Sequence, residues 1–250
     1  MTLGVVLGPV VDPHCGRDSD DYLSFSVGRE DWRVQWGRFD AFGTAAYWVD
    51  QTIRGDYADK VELLARSADL QSETIFCLLG GYGVTAESAK AAHSVVMGVL
   101  QTQLEAEPGE IESALRRPLP GGLGRYRFPR QRATRVVEAV RRLRMKPPPE
   151  DPLLLREYLL GINGIGPKTA AWIVRNVTGT PEVAIIDIWL IRALTLNGIF
   201  RRDWRVDRHY ERYEGAFFQY AAHGRVLPGA LDLCIWEQAR RVGHSHFAAT

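Results

Sequence analysis

The pattern of hydrophobic and polar positions changes near residue 45. Before that point, residues 22–27 (YLSFSV) and 32–36 (WRVQW) alternate polar with apolar side chains or are aromatic and β-branched, and Gly, Asp and Arg separate the two runs. Short runs of this kind are typical of strands. We therefore predict a small β-containing segment over residues 1–45.

After this segment the apolar residues recur at the three- and four-residue spacing of helices. Ser72 stands at a capping position, and residues 127–144 place three valines and Leu143 on one side, with arginines over the rest. The proline-rich stretch 146–152 cannot be helical and is predicted to be a linker. The chain is therefore predicted to be mainly α, with helical patterns over residues 44–55, 72–83, 85–104, 127–144, 156–179, 184–200 and 230–243.

Composition indicates a folded, soluble protein. Hydrophobic residues make up 46% and charged residues 24% of the 250 positions, and no apolar run reaches the length of a membrane span. The apolar start lacks the basic region of a signal peptide. The three cysteines are far apart in sequence, so we expect no zinc or iron–sulfur site and no cofactor. We expect a cytoplasmic monomer, associated with the nucleoid in a prokaryote, that binds no membrane.

Basic residues are concentrated in one stretch, although the formal net charge is only +1. Between Arg116 and Lys146 there are eleven Lys or Arg residues and a single acid, Glu138. Such a face can bind phosphates, but a solvated helix surface explains the pattern equally well. Arg127 and Arg130, which lie beside aromatic residues, are the candidates for phosphate contact.

Residues 160–171 (LGINGIGPKTAA) predict a tight turn between two helices. Gly164 and Gly166 permit a positive φ and a close approach of the backbone to another molecule. Pro167 suits the first turn of a helix, and the amides at a helix start favour a phosphate oxygen. An ordinary helix–helix turn would use the same residues, so the glycines alone leave both interpretations open.

The stretch LLGINGIGPKTAAWIV, followed by AIIDIWLIRAL, resembles the helix-hairpin-helix (HhH-GPD) DNA glycosylase superfamily. Because Lys168 follows the hairpin directly, the pattern is most similar to the 8-oxoguanine DNA glycosylase/AP lyase branch. The resemblance covers residues 156–195, with weaker likeness in FCLLGGYGVTAESAKAA and LDLCIWEQAR. It implies a fold of two helical subdomains, one discontinuous over 46–72 and 190–250 and one over 73–189 that contains the helix-hairpin-helix at 156–179.

Lys168 and Asp187 are nineteen residues apart, the separation that carries the nucleophilic lysine and the essential aspartate in the resembled family. A helix dipole and partial burial would both favour the neutral amine that attack requires. Attack at the sugar C1′ expels the base and gives an imine, after which β-elimination can cut the strand. The simpler alternative for Lys168 is a lysine that only contacts phosphate. Asp187 could also cap the helix that begins at Ile188, which is compatible with catalysis because the cap would fix the direction of the carboxylate.

The resemblance also implies that the partner is double-stranded DNA containing a damaged base. The hairpin residues Gly164, Ile165, Gly166 and Thr169 would contact its backbone. Many family members carry a histidine two residues after the aspartate, where this chain has Trp189. Arg192, one turn further on, is the candidate substitute for that phosphate contact.

Extrusion of the target nucleotide requires a wedge and a pocket for the base. Tyr82, within Gly80-Gly81-Tyr82-Gly83, is the wedge candidate. Trp236 and Trp48 are candidates to sandwich the base, and Gln51 to bond its edge, although each aromatic residue also suits a core position. One branch of the family uses a C-terminal lysine to reach the base, and the sequence HSHFAAT at residues 244–250 has none.

These features predict a bifunctional DNA glycosylase/AP lyase of base excision repair, acting on an oxidised purine, with 8-oxoguanine as the first choice. Two alternatives stay open. One is a glycosylase that removes another damaged or modified base with the same lysine. The other is a non-catalytic DNA-binding protein that keeps only the hairpin.

Overall fold

The computed structural model describes residues 69–242, except 82, 104, 197 and 224–226, together with four short strands before residue 50. It divides into two compact units, one of residues 1–63 and 179–250 and the other of residues 64–178. Asp187 therefore belongs to the first unit and Lys168 to the second. The subdomain boundaries expected at 45, 72 and 189 stay predictions.

The strands lie in the first unit and are two or three residues long. They are β1 (Val5–Val6), β2 (Ser24–Phe25), β3 (Val34–Trp36) and β4 (Tyr47–Val49), and they pair antiparallel in sequence order. Strands this short do not establish a β element by themselves, so the N-terminal β segment stays a prediction. The predicted helix over 44–55 is wrong at residues 47–49, where aromatic and β-branched side chains favour the strand.

Six α-helices are described in the unit of residues 64–178, and four of them begin with proline, which lacks the N–H that a first helical turn leaves unpaired. Asp69, and not the predicted Ser72, caps the first helix by accepting the N–H of Ser72 at 2.8 Å. Thr85 caps the second helix by accepting the N–H of Ser88 at 3.2 Å. The helices are α1 (Leu70–Leu79), α2 (Ala86–Thr102), α3 (Pro108–Arg116), α4 (Pro129–Met145), α5 (Pro152–Leu160) and α6 (Pro167–Thr178).

The predicted apolar face of α4 is confirmed in its centre. Val136, Val137 and Val140 are buried against the core of this unit, and Leu143, one turn further along, is only half-buried. Ile75 and Leu78 of α1 are also fully buried. The linker predicted over 146–152 ends at Asp151. The carboxylate of Asp151 accepts the N–H of Leu154 at 2.8 Å and so caps α5.

Three helices of the first unit are described: α7 (Ile188–Leu196), α8 (Val206–His223) and α9 (Pro228–Val242). Their core centres on Leu190, Leu194, Phe217 and Leu231, each at most 1% exposed. Among the described residues, no helix has both the length and the hydropathy needed to cross a membrane.

Candidate functional site

The turn between α5 and α6 is a compact hairpin. The N–H of Ile162 donates to the Leu159 carbonyl at 2.9 Å, and the N–H of Ile165 donates to the Ile162 carbonyl at 3.0 Å. These three apolar side chains are at most 6% exposed, so they hold the turn on the core. Gly164 has a φ of +93°, in the region that favours glycine. The hairpin therefore presents mainly backbone at the surface.

The two hairpin glycines have different surroundings. A Cβ atom on Gly164 would lie 2.7 Å from Cδ of Arg135, whereas a Cβ on Gly166 would meet nothing within 4 Å. Glycine at position 164 is thus favoured by its positive φ, and a larger residue there would also have to displace the Arg135 side chain. Gly166 borders open space, where another molecule can approach the backbone.

Beside the hairpin lies an open recess of about 440 Å³ with a basic lining. Asn163 of the hairpin donates to the carboxylate of Glu138 at 3.1 Å, which ties the turn to α4. Two guanidinium groups next to a turn that offers backbone amides make this a surface suited to phosphates. The recess is lined by Arg130, Gln131, Thr134, Arg135 and Asn163.

Lys168 is the second residue of α6, and its side chain is exposed. The partial burial expected for it is therefore not observed. Thr169, the next residue, is half-buried.

The carboxylate of Glu73, on α1, connects that helix to α6. It accepts hydrogen bonds from Nε1 of Trp172 at 3.2 Å and from Nδ2 of Asn176 at 2.7 Å. The thiol of Cys77 also points to Glu73, with 3.8 Å between the sulfur and the carboxylate oxygen. Burial, together with the charge of Glu73, raises the pKa of this thiol well above its ordinary value. Glu73 thereby fixes the helix that carries Lys168.

Asp187 is 7% exposed and follows four buried residues, 183–186. Its Oδ1 accepts the N–H of Trp189 at 2.8 Å and the N–H of Leu190 at 3.0 Å. The aspartate therefore caps α7, as expected if the helix begins at Ile188. The cap immobilises the carboxylate, because two backbone donors determine its orientation.

Trp189 and Arg192 lie on the first turns of α7. The guanidinium of Arg192 is 5.9 Å from the centre of the Trp189 ring, a cation–π distance. The indole that replaces the family's histidine thus packs against the arginine proposed to substitute for it. A phosphate contact by Arg192 stays a prediction.

Three side chains donate hydrogen bonds to the backbone carbonyls of Leu79, Gly80 and Gly83. Tyr126 donates its hydroxyl to the Leu79 carbonyl at 2.5 Å, Arg132 donates to the Gly80 carbonyl at 3.1 Å, and Arg127 donates to the Gly83 carbonyl at 3.3 Å. Burial raises the pKa of Tyr126 to about 12 and lowers the pKa of the Arg132 guanidinium. Residues of the basic stretch between Arg116 and Lys146 therefore hold the backbone at Leu79, Gly80 and Gly83 in place.

The other pocket candidates are only partly described. Trp236 is half-buried on α9 and packs against the core of its unit. Trp48 lies in β4 without a described side chain, and Tyr82 and Gln51 are outside the described residues. Among the described residues, no group of three or more His, Cys, Asp or Glu side chains is placed to hold a metal ion.

Two charged residues that shape the site, Arg135 and Glu73, are absent from the sequence prediction, and a third, Arg132, is predicted only as part of the basic stretch. Arg132 and Arg135 lie in the basic run, which is a signal for charge but not for the carbonyl or glycine each contacts. Glu73 is in the first turn of α1, where a helix dipole alone would explain an acid. Their roles depend on contacts between distant segments, which spacing along the chain does not show.

The comparisons with known proteins agree on one family. The family described as 8-oxoguanine DNA glycosylase matches residues 54–225. The 8-oxoguanine DNA glycosylase of Methanocaldococcus jannaschii is 29% identical, with a TM-score of 0.55, over 73% of this chain and 86% of that one. The enzyme of the same name from Thermotoga maritima is 25% identical, with a TM-score of 0.50, over 74% and 91%.

A further structure shows a related protein with nucleic acid bound. It is the M. jannaschii 8-oxoguanine glycosylase/lyase in complex with a 15mer DNA containing 8-oxoguanine, 27% identical to this chain, with a TM-score of 0.51 over 73% of this chain and 88% of that one. No curated protein matches the sequence.

Proposed function

Since this chain belongs to the 8-oxoguanine DNA glycosylase family of the helix-hairpin-helix superfamily, we propose that it is a bifunctional glycosylase and AP lyase for an oxidised purine, with 8-oxoguanine as the first candidate. Its partner would be double-stranded DNA containing that base. We propose that it works as a monomer in the cytoplasm. The N-terminal β segment and the two-subdomain boundaries remain part of this proposal.

Lys168 is proposed as the nucleophile. Its neutral Nζ attacks C1′ of the extruded nucleotide, the glycosidic bond breaks, and the base leaves with the bonding electron pair and takes up a proton. The amine nitrogen loses its proton as the sugar opens to an imine. Removal of a C2′ proton then expels the 3′ phosphate. Exposure of Lys168 at the start of α6 supports this role, because a nucleophile must reach a substrate atom.

Asp187 is proposed as the carboxylate that assists this attack. A negative charge held in a buried, apolar segment stabilises positive charge that develops on the sugar, and it needs no reorganisation during the reaction. The two backbone N–H groups that Asp187 accepts at 2.8 and 3.0 Å support this role by fixing its position.

DNA binding is proposed to centre on the hairpin. The backbone of Gly164, Ile165 and Gly166 and the hydroxyl of Thr169 would contact one phosphate group. The basic recess beside the hairpin would take a neighbouring stretch of the same backbone, with Arg130 and Arg135 as its cations. Arg127, which donates to the Gly83 carbonyl, would provide a further phosphate contact.

The single observation that carries the proposal is the hairpin, which ends with Lys168 exposed as the second residue of α6. Borohydride trapping tests it directly, since the reagent reduces an imine to a permanent protein–DNA bond. We expect an adduct on a duplex that contains 8-oxoguanine. The adduct should disappear in Lys168→Gln.

The chain offers a well-matched control, because it has only four lysines, at positions 60, 90, 146 and 168. Lys146→Gln should trap as well as the wild type, and peptide mapping should place the adduct on Lys168. An adduct that persists in Lys168→Gln would exclude this lysine as nucleophile. Trapping only on an abasic site or another lesion would favour a different base. DNA binding with no adduct on any substrate would favour a non-catalytic protein.

A second candidate substrate is favoured by one sequence observation. Lys168 is the last lysine of the sequence, so the C-terminal lysine with which one branch of the family reaches its base has no counterpart among residues 169–250. A panel of duplexes with different lesions, compared by single-turnover rate, would decide between 8-oxoguanine and another base.

A further inference from the structure

Asp232 is a buried carboxylate that the proposed chemistry does not use. It lies in the second turn of α9 and is 2% exposed. Its Oδ2 accepts the backbone N–H of Ile185 at 2.5 Å. A buried carboxylate is costly unless hydrogen bonds compensate for its lost hydration, and a bond from a backbone N–H to a charged acceptor is among the stronger kinds. Asp232 thus fixes the main chain at Ile185.

The residue fixed in this way lies directly before the proposed catalytic carboxylate. Asp187 follows Ile185 by two residues, which is a span of at most about 7 Å of extended chain. On its other side, Asp187 is held by the N–H groups of Trp189 and Leu190. The position of Asp187 is therefore determined from both directions along the chain.

A second backbone contact packs the segment before Asp187 against α9. The N–H of Gly229, in the first turn of that helix, donates to the Pro181 carbonyl at 2.8 Å. A Cβ atom on Gly229 would lie 2.9 Å from that oxygen and 3.0 Å from the Val183 carbonyl oxygen. The backbone of residues 181–185 thus approaches α9 as closely as a glycine permits.

From these contacts we infer that Asp232 is a positioning residue for Asp187: it fixes the backbone of residues 183–187 and thereby aims the carboxylate at the reacting sugar. The inference rests on the proposed catalytic role of Asp187. It predicts that loss of the Asp232 acceptor impairs chemistry more than it impairs DNA binding, because a displacement near 1 Å in a catalytic group is enough to cost about 100-fold in rate.

The test compares Asp232→Ala with Asp232→Asn by single-turnover base release, well below the melting temperature of each variant. Asp232→Ala should be slower by about 10- to 100-fold. Its Kd for a duplex with a non-cleavable abasic analogue should stay within about twofold of the wild type, as expected for an interaction realised only in the transition state. Asp232→Asn keeps an acceptor oxygen, and its rate should stay within about fivefold of the wild type, because a neutral hydrogen bond is roughly half as strong.

Gly229→Ala provides a second variant that changes no charge. Its Cβ should displace residues 181–183 and lower the rate in the same direction as Asp232→Ala, which keeps the inference testable if Asp232→Ala does not fold. Asp203→Asn is the matched control, since Asp203 is an exposed aspartate of the same unit, paired with Arg201. This control should leave the rate unchanged.

A double variant separates positioning from a general loss of stability. If Asp232 acts through Asp187, Asp187→Asn/Asp232→Ala should be no slower than Asp187→Asn alone. A wild-type rate in Asp232→Ala, or an equal slowing of the wild type and of Asp187→Asn by the alanine, would overturn the inference while leaving Asp187 in its proposed role. A wild-type rate in Asp187→Asn would remove that role, and the inference with it.

Discussion

The two residues proposed for catalysis are held by opposite means. Lys168 is exposed at the start of α6, and its position is fixed by the packing of α6 against the core of its unit. Asp187 is buried in an apolar segment, and its own carboxylate is fixed by two backbone N–H groups. An amine that has to lose a proton and form a bond needs access to substrate and solvent. A carboxylate that acts through its charge gains from burial and a fixed direction.

Each of these segments also has a carboxylate that anchors it. Glu73 is half-buried and accepts side-chain N–H groups of Trp172 and Asn176, which belong to α6. Asp232 is almost fully buried and accepts the backbone N–H of Ile185. A bond to a side chain leaves the helix some freedom to adjust, whereas a bond to backbone next to Asp187 does not. We therefore expect substitutions near Asp187 to have larger kinetic effects than substitutions beneath Lys168.

Replacement of Asp187 should have the largest effect. Asp187→Asn removes the charge but keeps an oxygen that can cap α7, so we expect base release to slow by about 10² to 10³-fold with little change in DNA affinity or melting temperature. Single-turnover kinetics and a binding titration measure the two quantities.

Asp187→Ala is the companion variant, because it removes the charge and the cap together. It should be as slow as Asp187→Asn and in addition less stable by about 1 kcal/mol, the usual value of an N-cap. Denaturant unfolding of both variants tests this difference. Equal base release by Asp187→Asn and the wild type would show that the carboxylate only caps the helix.

Whether a contact is local or distant along the chain explains which parts of the site the sequence predicts. The hairpin is visible because its chemistry is local: the glycines, the proline and the following lysine lie within five residues of one another. The cap at Asp187 is local too, since its donors are two and three residues away.

What the sequence does not predict depends on distant partners or on weak patterns. Asp232 and Ile185 are 47 residues apart in sequence, and nothing in the stretch ALDLCIWEQAR distinguishes a buried aspartate from an exposed one. The helix α8 carries Tyr213, Phe217, Tyr220 and Ala221 at helical spacing on its buried face, but the charged residues just before them, at 207, 208, 211 and 212, weaken that signal. The helix expected over 44–55 fails at residues 47–49 because β propensity prevails there.

The hairpin glycines allow DNA contact to be separated from folding. In Gly166→Ala the new Cβ meets no protein atom, so stability should be unchanged or slightly higher. If a phosphate approaches this backbone, DNA affinity should fall by about tenfold, equivalent to about 1.4 kcal/mol. Gly164→Ala should lose affinity and also about 1–3 kcal/mol of stability, because its φ of +93° disfavours a side chain. Unimpaired DNA binding by Gly166→Ala would place the phosphate contact elsewhere.

The basic recess is expected to contribute a smaller effect that depends on salt. If Arg135 neutralises one phosphate, Arg135→Gln should reduce the slope of log affinity against log salt concentration by about one. Arg141→Gln is the matched control on the same helix, since Arg141 pairs with Glu107 and does not line the recess. The slope, measured on undamaged duplex between low and moderate salt, should not change in the control. Equal slopes for both variants and the wild type would exclude Arg135 from the DNA-binding surface.

The smallest expected effect concerns the anchor beneath Lys168. Burial is the main cause that raises the pKa of Cys77 above its ordinary 9.0, and the charge of Glu73 adds to it. In the native protein the thiol should therefore label slowly at pH 8 to 9, and Glu73→Gln should increase the rate, because it removes the charge but leaves the burial. As the folded-state pKa is the higher one, the unfolded chain ionises first, and Cys77 makes the folded state less stable as pH rises above 9.0.

Peptide mapping by mass spectrometry gives the rate at Cys77 separately from the two other cysteines of the chain. Faster labelling in Glu73→Gln, with base release close to the wild-type rate, would mean that α6 tolerates a weaker anchor, in contrast to the segment before Asp187. If labelling does not change, burial alone controls the thiol, and the carboxylate of Glu73 is fully engaged by Trp172 and Asn176. A marked loss of base release in Glu73→Gln would instead show that Lys168 depends on its anchor as strictly as Asp187 does.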